Sequence, residues 1–260
     1  MPRWLLEWFD AVGLPVYEAY GVSEDVVPVA MNRPGARRMG TVGKPLPPNE
    51  VRISDEGEIL IRGPGVFSGY LSAGAGSQRP DAEDFWPTGD LGTLDAEGYL
   101  SVTGRKSDTF KTATGRWVSP ARIEERLGRL PYVLHAVVVG AGRKAVAVLL
   151  SVDAPALRTR MKSGPPTRGA KSGWGEAEAA ALGNDILEKC GGLASHEQPA
   201  AVLVTADPFT IAGGELTTNL KIRRKAIATK YAAAVDRLFA ELERSGGMGQ
   251  ASSRILVRRA

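Results

Sequence analysis

The chain has one cysteine, Cys190, and two histidines, His135 and His196, in 260 residues. A single thiol forms no internal disulfide, so the fold depends on a packed core, and a reducing compartment is allowed. No Cys/His spacing of the kind that holds zinc occurs. His135 lies inside an apolar run and His196 in a loop, and both read as structural or surface residues. No apolar run approaches the ~20 residues that span a bilayer. Residues 1–13, MPRWLLEWFDAVG, carry Glu7 and Asp10 without an uninterrupted apolar stretch, which does not read as a signal peptide. A cytoplasmic location is the expectation.

What is present is a globular composition, 43% hydrophobic and 24% charged, enough for one large domain or two small ones. The net charge of +4 is unevenly spread. Residues 1–103 hold 8 Lys/Arg against 15 Asp/Glu, a net −7, whereas residues 104–260 hold 25 against 14, a net +11. The split suggests two modules, the second facing an anionic partner. Nucleic acid, an anionic membrane surface and a polyphosphate ligand all fit that charge. With aromatics at only 7% and no recognition motif, nucleic acid is the weakest of these. A peripheral membrane contact stays open.

Periodicity gives the local elements. Trp4, Leu5, Trp8, Phe9 and Val12 recur at helical spacing over residues 2–12, and Pro15–Tyr20 reads as a short buried strand. Hairpins are expected where Val51–Ser54 and Glu58–Arg62 flank Asp55-Glu56-Gly57, and where Leu91–Leu94 and Tyr99–Thr103 flank Asp95–Gly98. Ser119-Pro120 opens a helix to about Leu130. A third hairpin joins Leu134–Val139 to Ala145–Val152. A helix spans about 176–190, a strand spans Ala201–Thr205, and a long helix runs over about 221–243. Residues 158–175, basic and rich in Gly, Pro and Ser, read as a mobile loop, and 246–260 as a flexible tail. Gly65–Gly69 misses the hydrolase elbow G-x-S-x-G by one place and reads as a turn.

Several polar clusters sit beside strand ends: Tyr20-Gly21-Val22-Ser23-Glu24, Gly57–Tyr70 (GEILIRGPGVFSGY), Thr88-Gly89-Asp90-Leu91-Gly92, Gly104–Glu124 (GRKSDTFKTATGRWVSPARIE) and Gly214–Lys225 (GELTTNLKIRRK). Each alone is commonplace. In this order they resemble the motifs of the adenylate-forming (AMP-binding) superfamily, and the fourth resembles its long-chain fatty acyl-CoA synthetase branch most closely. The resemblance covers residues 1–243. It implies an α+β fold, in which a β-rich distorted-barrel part of the large adenylate-forming domain (1–104) precedes a small, mobile α/β lid domain (105–245).

The chemistry that the resemblance implies follows from charge. A carboxylate attacking the α-phosphate of ATP meets like-charge repulsion, which cations must offset. Glu24 would supply hard oxygen to Mg²⁺, Ser23 would hydrogen-bond the phosphate, and Tyr20 beside Gly21 would stack on adenine. Asp90 would accept both ribose hydroxyls and Arg105 would donate to the same ribose. Lys221 would reach the carboxylate and bridging oxygens, Lys111 would serve the cofactor as a further cation, and Ser107 would be the hinge. The bland alternative for Lys111, Arg116 and the Lys221–Lys225 run is a solvated face, favoured for Arg223, Arg224 and Lys225.

The family's Ser/Thr/Gly-rich phosphate loop with lysine has no counterpart here, and no Walker lysine sequence occurs. Acyl-binding segments are likewise unrecognised. The implied function is the C-terminal portion of an ATP-dependent fatty acid–CoA ligase using ATP/AMP, Mg²⁺ and coenzyme A. It would be inactive without an N-terminal adenylation-domain fragment. The alternative is a non-catalytic AMP/CoA-binding or assembly module.

Overall fold

The computed structural model describes residues 3–71, 80, 81, 83–161, 176–245 and 255–260. The chain divides into two compact units, Met1–Asp108 and Thr109–Ala260. The division falls after Asp108, a little beyond the expected boundary at Gly104.

The first unit opens with helix α1 (Arg3–Ala11), which ends at Gly13 in a left-handed turn. A three-stranded antiparallel sheet follows, from β1 (Ala19–Tyr20), β2 (Ala30–Met31) and β3 (Lys44–Pro45). The buried strand expected over Pro15–Tyr20 shrinks to Ala19–Tyr20, because residues 15–18 have no ladder partner and stay partly exposed. The main sheet is a meander of β4 (Glu50–Ile53), β5 (Glu58–Arg62), β6 (Trp86–Leu94) and β7 (Leu100–Arg105), so both expected hairpins form. Ile59, Ile61, Trp86 and Leu100 from this sheet pack with Tyr20, Val29 and Ala30 into one core. The result is a mixed α/β structure with a curled, half-barrel sheet.

The second unit begins with the hairpin β8 (Phe110–Lys111) and β9 (Trp117–Val118), then α2 (Pro120–Leu127). Ser119 takes the N-cap position without a side-chain cap bond, and the helix stops at Leu127, three residues before the expected Leu130. Strands β10 (Val133–Val139) and β11 (Val146–Val152) form the third hairpin. Helices α3 (Ala154–Met161) and α4 (Glu176–Cys190) lead to β12 (Pro199–Thr205), then α5 (Arg224–Lys230), α6 (Ala232–Arg244) and β13 (Leu256–Arg259). Of the expected mobile loop at 158–175, residues 158–161 are helical and the rest lies outside the described residues. The single helix expected over 221–243 is two. Tyr231 leaves helical torsions between them and places its ring 6.1 Å from Phe209.

The sheet β10-β11-β12-β13 is buried on both faces, with alternation at period two. Val146, Val148, Leu150, Val202 and Val204 face Ile123, Leu127, Leu182 and Ile186 of α2 and α4. Ala147, Leu149, Ala201 and Leu203 face Ile227, Leu238, Phe239 and Leu242 of α5 and α6. Every residue of β11 is buried, which is why its sequence is a continuous apolar run. His135 stacks 5.4 Å from Phe209, and desolvation pushes its pKa down, as its structural reading requires.

The expected flexible tail is corrected at its end: residues 256–259 add to β12 as a parallel strand. Ile255 and Val257 enter the α2/α4 core, while Arg258 pairs with Glu241 of α6. Residues 246–254 lie outside the described residues. Among the described residues no helix is long and apolar enough to cross a membrane.

Removing residues 255–260 withdraws two buried aliphatic side chains, each contributing about 1.5–3 kcal/mol. Calorimetry should show the second unit melting several degrees lower with the first unit unchanged; an unaltered melt would mean that β13 contributes nothing to the core.

Candidate functional site

The first unit gathers three of the expected residues at one distortion of its sheet. Along β5 and β6, Glu58 faces Leu91 and Leu60 faces Pro87. Ile59 alone therefore stands opposite Thr88, Gly89 and Asp90, and the ladder bulges outward there. Gly89 takes φ +73°, a left-handed torsion that glycine adopts without steric cost. Side chains satisfy the backbone groups freed by the bulge. The Thr88 hydroxyl donates to the Ile59 carbonyl at 2.8 Å and accepts from the Asp90 amide at 3.1 Å. The Gly89 amide donates to Glu58 Oε1 at 2.9 Å.

Asp90 then stands directly across from Arg105 of β7. The carboxylate is only 4% exposed and is held from two sides. The Tyr20 hydroxyl donates to Oδ2 at 2.8 Å, and Arg105 Nε lies 3.0 Å from Oδ1. The Tyr20 phenol is pushed well above its usual range, first by burial and further by its bond to Asp90, so it remains a proton donor. Where the resemblance implies stacking on adenine for Tyr20, the structure shows this hydrogen bond, made by a residue buried in the core. A carboxylate has about four acceptor positions, and Tyr20 and Arg105 take one on each oxygen. One on each oxygen is left, which suits a vicinal diol such as a ribose.

Gly21 and Ser23 are exposed and Glu24 is half-buried in the turn after β1. The Glu24 carbonyl accepts from the Phe67 amide at 2.9 Å, and its Oε1 accepts from the Tyr70 hydroxyl. That bond raises the Tyr70 phenol above its ordinary pKa. The Tyr70 ring packs edge-on against Phe67 at 4.8 Å, and Phe67 against buried Trp86 at 4.6 Å. Glu24 is thus braced by aromatics while its second oxygen stays available. Among the described residues no group of three His, Cys, Asp or Glu could hold a metal. A cation at Glu24 would draw its other ligands from water and phosphate, the usual habit of Mg²⁺.

Ser107 lies in the 3₁₀ turn Lys106–Asp108 that ends the first unit. The remaining expected residues belong to the second unit. Lys111 is exposed on β8 with Nζ 4.9 Å from the ring centroid of Trp117, itself exposed. Lys221 is exposed after a tight loop. The Thr217 amide donates to the Lys221 carbonyl at 2.8 Å, the Lys221 amide donates to the Thr217 hydroxyl at 3.0 Å, and Leu220 takes φ +59°.

Behind that loop sits Glu215, 3% exposed. Its carboxylate pairs with Lys230 and accepts from the Thr210 amide at 3.2 Å. A Cβ on Gly213 would come within 2.2 Å of the same carboxylate, so any larger residue there would have to displace Glu215. Arg224, expected as a solvated cation, instead forms a two-pronged pair with Glu124 at 2.6 and 2.5 Å. Glu124 also accepts from the Val138 amide at 2.8 Å, which ties α5 to α2 and β10. Sequence reasoning named neither this pair nor the roles of Glu58 and Tyr70. A charged residue opening an apolar strand, as Glu58 does, was the available signal.

Residues 1–71 match the family model described as AMP-binding enzyme. The chain is 35% identical over 235 residues to long-chain-fatty-acid–CoA ligase FadD15 of Mycobacterium bovis, covering 89% of this chain and 39% of that protein. It is 33% identical over 248 residues to human long-chain-fatty-acid–CoA ligase 6, covering 88% and 35%. Among solved structures, O-succinylbenzoate coenzyme A synthetase of Bacillus subtilis in complex with AMP superposes with a TM-score of 0.63 at 26% identity, covering 86% and 43%. The carboxylic acid reductase A-PCP didomain of Segniliparus rugosus has a TM-score of 0.72 at 22% identity, covering 94% and 34%, a likeness of fold. The chain is thus similar to AMP-binding enzymes over residues 1–71 and to fatty-acid–CoA ligases over most of its own length. It spans well under half the length of these relatives.

The loop that presents Lys221 should be acid-sensitive. Glu215 has its pKa lowered, chiefly by Lys230 and, against burial, also by the Thr210 amide. Its contribution is therefore full above the unfolded carboxyl value of 4.5 and is lost as pH falls through the lower folded value. Hydrogen exchange should show the Thr210 amide losing protection over that acidic window; constant protection would contradict the pairing.

Proposed function

We propose that this chain is the C-terminal portion of an ATP-dependent fatty acid–CoA ligase, which joins a carboxylate to AMP and then passes the acyl group to the thiol of coenzyme A. The observation that carries this reading is the braced carboxylate of Asp90, set between Tyr20 and Arg105 with acceptor positions left for a diol. Similarity to fatty-acid–CoA ligases along 89% of the chain supports it.

In this reading Asp90 and Arg105 hold the ribose, and Tyr20 both fixes Asp90 and, beside Gly21, borders the adenine. Ser23 donates to phosphate. Glu24 would hold Mg²⁺, which when bound neutralises phosphate charge. Lys221, an exposed point charge on a braced loop, offsets the negative charge shared by the attacking carboxylate and the phosphate. Lys111 and the basic second unit face the phosphates of ATP and coenzyme A. Ser107 is the pivot about which the second unit turns between the two half-reactions. The phosphate loop and the acyl pocket come from an N-terminal adenylation segment, which corresponds to the part of the relatives outside the matched span.

Fatty-acid-dependent ATP–pyrophosphate exchange tests this. The chain alone should be nearly silent, and activity should appear with a segment equivalent to the N-terminal part of the mycobacterial ligase. Lys221→Ala should then lower the rate by about 10²–10³, as for loss of one preorganised donor. Undiminished exchange in Lys221→Ala would remove Lys221 from its role. AMP binding without exchange under complementation would favour a non-catalytic AMP/CoA module.

A further inference from the structure

Glu58 is 6% exposed, and a buried carboxylate costs several kcal/mol unless donors meet it. Its two oxygens are met in a specific way. Oε1 accepts from the Gly89 amide at 2.9 Å, immediately before Asp90. Oε2 lies 2.8 Å from Nζ of Lys106, immediately after Arg105. Asp90 and Arg105 are themselves direct partners across β6 and β7. One carboxylate on the neighbouring strand therefore straps the outer flanks of both members of the pair. Glu56 adds a second contact to Lys106 at 2.6 Å, and the two glutamates hold the ammonium pKa above its ordinary value.

We propose that Glu58 is a positioning residue for diol recognition, fixing the spacing of Asp90 and Arg105 through Gly89 and Lys106; this rests on the nucleotide reading above. The bulge explains why such a residue is needed. Three residues of β6 stand opposite one of β5, so the β5–β6 ladder leaves Asp90 unpaired on that side and only its β7 partner holds it in register. Thr88 fixes the Asp90 amide, but the Gly89 torsion is free until its amide is held. Arg105 is 64% exposed, and the flank that follows it is secured through Lys106. Glutamine at position 58 keeps an acceptor for Gly89 but turns an amide donor toward the Lys106 ammonium. That substitution therefore loosens one side of the strap without emptying the site.

The test compares AMP with 2′,3′-dideoxy-AMP by titration calorimetry on the whole chain. The native chain should prefer AMP, and Asp90→Asn should abolish the preference. Glu58→Gln should reduce AMP affinity by about tenfold, the effect of losing a charge-assisted hydrogen bond, while dideoxy-AMP affinity changes little. Lys106→Met, at a half-exposed position, should shrink the same ratio and serves if Glu58→Gln does not fold. A lowered melting temperature with the native AMP preference intact in these variants would make Glu58 purely structural and overturn the proposal. A native chain that binds both nucleotides equally would overturn the diol reading itself, and the positioning role with it.

Discussion

A carboxylate taken out of water is costly unless donors meet it, and two in the first unit are met from several strands. Asp90 is met by Tyr20 and Arg105, and Glu58 by Gly89 and Lys106. These demands reach far along the chain. Tyr20 comes from the first small sheet, Glu58 from β5, Asp90 from the bulge of β6, and Arg105 and Lys106 from the end of β7. The apolar cluster of Ile59, Ile61, Trp86 and Leu100 sets the strands at the distance at which these donors and acceptors coincide. Core and site are therefore one construction. Trp86 shows this directly, since it packs under Phe67, which abuts Tyr70, which in turn braces Glu24.

The second unit solves a different problem. Its sheet is covered on both faces, so its loops are the places where charge can be displayed. Lys221 is exposed there, but the loop that carries it is anchored by the buried carboxylate of Glu215, paired with exposed Lys230, and by the close approach of Gly213 to that carboxylate. The basic helix beyond is anchored in turn through Arg224 to Glu124. Of the positive charges in that run, Arg224 is thus a structural tie, whereas Lys221 is exposed.

Much of this was legible in the sequence wherever one short-range rule dominated. Short apolar, β-branched runs between turn residues located β4, β5, β10, β11 and β12, because strands buried in a sheet read as such runs. Turn residues located the hairpins between them. Tyr20, Asp90 and Arg105, which lie in three of the recognised motifs, meet in the structure. What stayed hidden depends on long-range partners. Glu58 reads as an ordinary hairpin charge until Lys106 and Gly89 are placed beside it. Arg224 reads as solvated until α2 brings Glu124 to it. The strand at Leu256–Arg259 is too short, and too rich in arginine at its end, to declare itself without β12 as a template.

That last strand bears on how the second unit comes into being. Val257 lies in register with Val202, about fifty residues earlier, so their pairing closes a long loop against conformational entropy. Strands β10 and β11 are joined by a tight turn, so their pairing closes only a short loop. During synthesis the sheet therefore passes through a stage in which β12 is an open edge, with its flanking hydrophobic faces incomplete. The unit is sealed only when Leu256–Arg259 pairs with β12, and until then that edge is open to mispairing with neighbouring chains.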